Sequence, residues 1–469
     1  MSEHSAAHKT SASKLARVEV KSRLEPSTVF NNLGHIIDMD QLRDCYRTLD
    51  GSKAVGRDGV TKDSYGKDLD VNLKGLLLRI RKGTYVPQAS RIVEIPKLDG
   101  NTRPLTIACF EDKLVQESCT RILERIYEPL FLSESFGFRP GLSCHKALVT
   151  LDGHLKSPNN GAVIDVDLKK AFDTIPHKHL EGMIREKISD ERFVRLLLKL
   201  IKSEVIDVDG QIKKQTCGVP QGSILSPLLC NVFLHYLVDE WFRKQNVERY
   251  FGKCTLVRYA DDMVFTAPNI EAAKHLHTLL SERLLSYGMT LHEGKTRVIE
   301  NGRATALRSA SQGTKVPSFT FLGFVHVWGQ SVAKNTGKKF WRVKRRTCPI
   351  RYRNKLHVIQ DHLKSQRHSK DLLESMKRVV RGYLNYFAIN DNMKRVGQFV
   401  REVTKMIYKW LNRRSQRRSF TWESFVKLLR RLNFPEARLQ HNLFFHDEFL
   451  CEKVVLMRKP DALIGHVRF

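Results

Sequence analysis

Two acidic clusters are the residues of this sequence best placed to do chemistry. Asp261 and Asp262 belong to Tyr259-Ala260-Asp261-Asp262, between the strand-like stretches Leu256-Val257-Arg258 and Met263-Val264-Phe265. Asp is poor in strands but welcome at tight turns, so an ordinary Asp-Asp turn accounts for this stretch alone. The second cluster, Val163-Ile164-Asp165-Val166-Asp167-Leu168, alternates apolar and acidic residues and puts Asp165 and Asp167 on one face of a strand. Carboxylates lined up without a cation repel one another, whereas two acidic strands can hold a pair of divalent ions between them. Two Mg²⁺ ions roughly 3.5–4 Å apart activate the attacking oxygen and stabilise the leaving one in phosphoryl transfer. Mg²⁺ keeps waters and substrate phosphates in its shell, so a few carboxylates suffice. The expected metal ligands are Asp167, Asp261 and Asp262.

The elements that must position these residues are legible in outline. Gly218-Val219-Pro220-Gln221-Gly222-Ser223-Ile224-Leu225-Ser226-Pro227 reads as a turn-rich loop opening into an apolar helix from Leu228 to Trp241. A rigid turn capping a core helix fits that block equally well when it is taken alone. Residues 85–107 read as a hairpin around Asp99-Gly100, and residues 112–128 as an amphipathic helix. Residues 29–83 read as short helices interrupted by a glycine-rich connector, Gly51 to Gly59. The acidic strands then belong to a small antiparallel sheet with helices on one face, an α+β arrangement. From about residue 345 the chain turns helical, with Val396, Phe399, Val403, Met406, Ile407 and Trp410 forming one apolar stripe. Gly288 and Gly294-Lys295-Thr296 nearly spell a phosphate-binding P-loop, but the spacing is one residue too long and a helix precedes it where a strand is required.

With these blocks in this order, the chain resembles the group II intron-encoded reverse transcriptase/maturase family, bacterial type, from about residue 30 to its end. Asp167 to Phe172, Pro220-Gln221-Gly222 and Tyr259-Ala260-Asp261-Asp262 are similar to the family's polymerase motifs A, B and C. The resemblance prefers Asp167 to Asp165 as ligand, because the family's metal-binding Asp lies five residues before an aromatic, here Phe172. Arg91 to Lys97 with Arg103-Pro104-Leu105, Ser135 to Gly141, Phe321-Leu322-Gly323-Phe324, Arg381 to Phe387 and Trp410 to Gln416 resemble further family blocks. Ala171 departs from the second aromatic that many relatives carry. A Cys-x-x-Cys pair at metal-ligand spacing is missing, so the endonuclease domain of some relatives is expected to be absent.

The resemblance implies a right-hand polymerase, fingers and palm with an antiparallel palm sheet, followed by an α-helical thumb/maturase domain. The expected divisions are a disordered polar leader at 1–28, an N-terminal extension at 29–83, fingers and palm at 84–335, and a basic helical domain at 336–469. It also implies RNA-directed DNA polymerase activity with two Mg²⁺ ions, together with intron-RNA binding and help in splicing. Lys97 and Arg103 would grip the incoming dNTP, Phe172 would exclude ribonucleotides, and Lys295 would stand near departing pyrophosphate. Pro220, Gln221, Gly222 and Tyr259 would line the substrate site. A domesticated polymerase serving phage defence or another host role stays open, as does a splicing factor with a vestigial site.

Composition agrees with nucleic acid as the partner. The chain of 469 residues carries a formal charge of +30. Residues 341–469 alone hold 30 Lys and Arg against 11 Asp and Glu. Such a surface concentrates polyanions and binds them in a salt-dependent way. The basic residues spread over several helices and no long apolar run exists, which disfavours a membrane. Arg413, Arg414, Arg417 and Arg418 follow the apolar stripe, where they can complement the helix dipole or meet RNA phosphates. Partners are therefore intron or template RNA, a DNA primer or target, and dNTPs, with a homodimer left open. Nine scattered Cys point to a reducing compartment, cytoplasm or nucleoid in a bacterium, with an organelle not excluded.

Overall fold

Alternating apolar residues and short turns give this chain eleven described strands, and longer apolar stripes give the helices that cover them. The computed structural model describes residues 11–96, 102–245, 252–333, 335–414 and 419–444. The chain divides into two compact units, Met1–Glu300 and Asn301–Phe469.

The first unit holds two four-stranded sheets. In the first, β1 (Ser90–Pro96) pairs antiparallel with β2 (Thr102–Ile107), as the hairpin reading expected. Residues 97–101, which include Lys97 and the Asp99-Gly100 turn signal, lie outside the described residues. The second sheet contains β3 (Ala162–Val166). Two strands of only two residues each, β4 (Val205–Ile206) and β5 (Ile212–Lys213), extend the first sheet, with β4 parallel to β1. Nothing in their composition announced them. The second sheet is completed by β6 (Thr255–Tyr259), β7 (Asp262–Ala267) and β8 (Arg297–Glu300), in the order β6-β7-β3-β8 with every pairing antiparallel. This is the small antiparallel sheet that the acidic strands implied.

One core underlies that sheet. The helix Phe110–Tyr127 presents Leu114, Val115, Cys119, Ile122, Leu123 and Ile126 to it, all without solvent exposure. The helix Ile270–Ser286 adds Leu276, Leu280 and Leu284, and β3, β6 and β7 add Ile164, Leu256 and Phe265. The apolar segment after Pro227 is a helix at Ser226–Leu234 and a π-helical turn at His235–Asp239, followed by the helix Glu240–Lys244. Such wide turns are often found at functional sites, and here the change of pitch sets where Asp239 points.

The expected disordered leader at 1–28 needs correction. Ser11–Leu24 is a helix whose Leu15 and Val18 pack on the core. Ser22 Oγ donates to the Ile126 carbonyl at 2.6 Å, and Lys14 pairs with Asp38 at 2.6 Å. Leu15, Val18 and Ser22 fall on one helical stripe too sparse to stand out in a polar segment.

The second unit opens with an antiparallel sheet of β9 (Ser318–Phe321), β10 (Phe324–Val332) and β11 (Lys339–Thr347). The expected boundary at 335/336 is corrected here too: it would cut the β10–β11 hairpin, whose nine paired positions run from Phe324↔Thr347 to Val332↔Lys339. The helices Pro349–Ser365, Leu372–Phe387, Met393–Leu411 and Trp422–Arg431 follow. The predicted stripe is buried at Val396, Phe399, Val403 and Ile407, with Phe399 stacked on Tyr383 at 3.6 Å between ring centres. Among the described residues, no helix is long and apolar enough to cross a membrane.

Candidate active site

Asp261 is held at the tip of a two-residue hairpin. Tyr259 and Asp262 are the last paired residues of β6 and β7, which leaves Ala260 and Asp261 to make the turn. Ala260 adopts φ +56° and Asp261 does not share that sign, the backbone pattern in which glycine is the usual first central residue. A residue with a Cβ therefore sits here at a conformational cost. Burial, reinforced by the charge of Asp167, pushes the Asp261 carboxyl above its ordinary range; its own backbone N–H, Arg103 and Arg258 oppose the shift. Asp167, Asp261 and Arg103 thus share one electrostatic neighbourhood although 158 positions separate Arg103 from Asp261.

Asp167 lies just beyond β3, where its carbonyl accepts from the His292 N–H at 2.8 Å. The Lys295 ammonium stands 2.9 Å from Asp167 Oδ2 as an ion pair, while that oxygen is buried and takes no aligned hydrogen bond. Asp165 is committed differently: its Oδ2 accepts from Arg297 at 3.0 Å across the β3–β8 pair. Asp165 is thus compensated by a cross-strand arginine, as Asp167 is by Lys295. The Gly294-Lys295-Thr296 segment lies in a turn between the helix Ile270–Ser286 and β8, with Lys295 and Thr296 N–H groups bonded to the His292 carbonyl. That is no P-loop.

The loop between the acidic strands closes a second side. Arg103 Nε donates to Gln221 Oε1 at 2.6 Å, and Gln221 Nε2 donates to Asp173 Oδ1 at 2.6 Å. The Gln221 carbonyl takes the Thr106 N–H and hydroxyl at 2.6 and 2.8 Å. Gly222 has φ +112° and a Cβ there would lie 2.5 Å from the Thr106 carbonyl oxygen, so this approach requires glycine. Pro220 is buried and its carbonyl accepts from Ser226 Oγ at 2.8 Å. Phe172, in the single turn Ala171–Thr174, gives its carbonyl to the Val219 N–H at 2.7 Å. Its ring is 9% exposed and meets Phe138 edge-on at 6.3 Å. It is therefore a core residue. Tyr259 bonds Cys144, and burial together with that contact raises its hydroxyl above the ordinary range.

Residues 95–326 match the family described as reverse transcriptase (RNA-dependent DNA polymerase). The group II intron-encoded protein LtrA of Lactococcus lactis subsp. cremoris is 37% identical over 227 residues, 48% of this chain and 37% of that protein. The putative COX1/OXI3 intron 2 protein of Saccharomyces cerevisiae is 44% identical over 147 residues, 31% of this chain and 17% of that protein. This chain is similar to reverse transcriptases, proteins of group II introns among them. Protein YkfC of Escherichia coli is also similar, 36% identical over 252 residues, 47% of this chain and 65% of that protein. The match spans little more than a third of LtrA's length.

Reverse transcriptases generally use Mg²⁺. Among the described residues, no three His, Cys, Asp or Glu side chains converge closely enough to form a complete metal site. The donor set still fits a hard cation that draws further oxygens from substrate: two mutually repelling carboxylates, one of them paired with the Lys295 ammonium. Of the expected RNA-binding arginines, Arg413 is exposed and lies 5.7 Å from the Trp410 ring centre. Arg414 turns inward, with Nη2 3.4 Å from the Ser369 carbonyl. Arg417 and Arg418 lie outside the described residues. The sequence reading missed Arg258, Asp239 and Asn231, which lie buried behind the Ala260-Asp261 turn; an arginine inside a largely apolar strand was the available signal.

Proposed function

We propose that this chain is an RNA-directed DNA polymerase that also binds intron RNA and assists its splicing. The observation that carries the reading is Asp261, half-buried at a strained hairpin tip where the charges of Asp167 and Arg103 act on its carboxyl. In this reading the first unit supplies fingers and palm, and the helices of the second supply the thumb/maturase domain. Asp167, Asp261 and Asp262 would hold two Mg²⁺ ions, which lower the charge cost of joining a primer 3′-oxygen to a dNTP.

The chain's own residues do the rest. Arg103, aimed by Gln221, offers a planar fork to triphosphate oxygens, and Lys97 adds a mobile charge from the same hairpin. Gln221 is itself held by Asp173 and by the Thr106 contacts to its carbonyl, so the fork is positioned before substrate arrives. Phe172, fixed through its backbone to Val219, fills the space a ribose 2′-hydroxyl would need. Lys295 neutralises Asp167 now and lies close enough to meet phosphate oxygens when that carboxylate is otherwise engaged. Pro220, Gly222 and Tyr259 wall the nucleotide site. Arg413, with Arg414, Arg417 and Arg418, would meet RNA phosphates in a salt-dependent way.

Primer extension on an RNA template tests this. Wild type should extend with Mg²⁺, and Asp261→Asn should lose on the order of a hundred-fold or more in rate while melting normally. Near-wild-type extension by that variant would remove Asp261 from the site. RNA binding with no synthesis by wild type would favour the splicing factor with a vestigial polymerase.

A further inference from the structure

The geometry points to Arg258, Asp239 and Asn231 as a buried clamp that holds Ala260 at positive φ and so aims Asp261: three positioning residues for the polymerase reaction. The inference rests on the proposed function for its activity readout, but not for its geometry.

Arg258 is completely buried on β6, one residue before Tyr259. Every nitrogen of its guanidinium has a partner. Nε and Nη2 donate to the two carboxylate oxygens of Asp239 at 2.8 and 2.5 Å, and Nη1 donates to Asn231 Oδ1 at 2.9 Å and to the Ala260 carbonyl at 3.2 Å. That last carbonyl belongs to the peptide joining Ala260 to Asp261, so fixing its plane fixes the direction in which Asp261 leaves the turn. A bidentate arginine–carboxylate pair gives the fork one orientation, which a lysine could not reproduce.

Asn231 ties the clamp to the other wall of the turn. Its Nδ2 donates to the Gly137 carbonyl at 2.7 Å. A Cβ on Gly137 would lie 2.3 Å from the Ala260 nitrogen and 2.9 Å from the Tyr259 carbonyl carbon, so that glycine backbone rests directly on the strained residue. The segment is anchored beside β6 by two backbone bonds of 2.8 Å, Phe136 N–H to the Arg258 carbonyl and Arg258 N–H to the Glu134 carbonyl. Arg139 holds the far side through the Leu132 and Ser135 carbonyls, each at 2.6 Å. Ala260 is thus fixed from within by Arg258 and from outside by Gly137, and Asn231 joins the two.

The π-helical turn His235–Asp239 belongs to the same device. It follows the helix that carries Asn231 and resets the pitch so that Asp239 and Asn231, eight residues apart, both reach one guanidinium. None of the three side chains is exposed enough to touch a substrate, so their effect on the reaction passes through Ala260.

The test compares Arg258→Lys, Asn231→Ala and the double variant Asn231→Ala/Ala260→Gly with wild type. Primer extension, affinity for Mn²⁺ measured by electron paramagnetic resonance, and thermal melts are recorded for each. Removing a residue that orients a metal-binding group typically costs about 10–100-fold in affinity or activity, so kcat and Mn²⁺ affinity should each fall by about that factor. The KM for dNTP should stay within about two-fold, because no substrate contact is removed. Asn231→Ala keeps the Arg258–Asp239 pair and guards against a lysine variant that fails to fold. Glycine takes positive φ unaided, so Ala260→Gly should restore several-fold of both losses in the Asn231→Ala background. Folded variants with wild-type kcat and Mn²⁺ affinity, or losses that glycine does not relieve, would overturn the clamp. If wild type makes no DNA but the variants still bind Mn²⁺ more weakly, the polymerase reading fails and the clamp stands.

Discussion

Each unit of this protein buries an arginine against an aspartate, and the two pairs are built to different standards. In the first unit Arg258 meets Asp239 through two hydrogen bonds and spends its remaining nitrogen on Asn231 and Ala260. In the second unit Arg345, also without exposure, reaches Asp391 through one bond of 3.4 Å, while its Nε and Nη1 have no hydrogen-bond partner. Asp391 has a second cation, Arg342, at 2.5 Å. A buried ion pair repays its desolvation only when geometry is good and every polar atom is satisfied. The first pair meets that condition and stands behind the turn that carries Asp261; the second does not. The difference teaches that burial of charge alone does not say how well a pair is held: one guanidinium is fully bonded and braces a strained neighbour, the other is half bonded.

The largest expected effect separates the pairs by breaking the first. Arg258→Met leaves Asp239 buried and without its main counter-charge, and such breaks cost roughly 3–5 kcal/mol. Burial pushes the Asp239 carboxyl up, but Arg258, with His235, more than offsets this and holds it below the ordinary range. Without the arginine that balance reverses. Urea titration should show the loss, with synthesis abolished at urea concentrations where wild type is still active. A loss below about 1 kcal/mol would mean that Asp239 finds another partner, and the contrast between the pairs would collapse.

That contrast also marks where the sequence could and could not be read. The hairpin bearing Asp261, the acidic strand before Asp167 and the antiparallel sheet that joins them follow from period-two patterns and a turn signal. The stripe from Val396 to Ile407 followed from period 3.6. What escaped reading depends on partners distant in sequence. The two-residue strand β4 exists only because β1 lies alongside, more than a hundred positions earlier, and β5 pairs in turn with β4. The leader helix Ser11–Leu24 is held by Ile126 and its neighbours on another helix. Arg258 was read only as part of a strand, and its partner Asp239 comes from a π-helical turn 19 positions earlier. Of the candidate site, the carboxylates stood out in the sequence and their supports did not, because a support is defined by what it touches.

The second expected effect is a response to acid specific to the weaker pair. His326, fully buried and stacked on Phe319 at 5.0 Å, is held neutral: burial first, then the charge of Arg345, lower its pKa from 6.5 to about 3. A histidine whose folded pKa is depressed contributes stability that is complete above its unfolded value. As pH falls below about 6.5 the unfolded chain takes up a proton that the folded chain refuses, at up to about 1.4 kcal/mol per pH unit. The contribution goes on declining until about pH 3. His326→Leu should flatten the decline of the second unit's melting temperature between pH 6.5 and 4. Parallel curves for the variant and wild type would place the acid sensitivity elsewhere.

The smallest expected effect is the sharpest test of the comparison. Arg345→Met removes a buried charge whose bonding is half unmade, and Asp391 keeps Arg342 at 2.5 Å. Replacing a poorly satisfied buried ion with an apolar side chain of similar length is often neutral or stabilising. A lost interaction with the Phe444 ring, 5.9 Å away, is worth only about 0.5–1 kcal/mol in the other direction. The net change in unfolding free energy should therefore lie within about 1 kcal/mol of zero, against several for Arg258→Met. The same substitution removes the positive charge beside His326, so the acid decline should become shallower although the histidine is untouched. A nuclear magnetic resonance titration of that imidazole would follow its pKa upward. If Arg345→Met instead costs as much as Arg258→Met and leaves the His326 titration where it was, then the loose pair is as essential as the tight one, and hydrogen-bond satisfaction does not separate them.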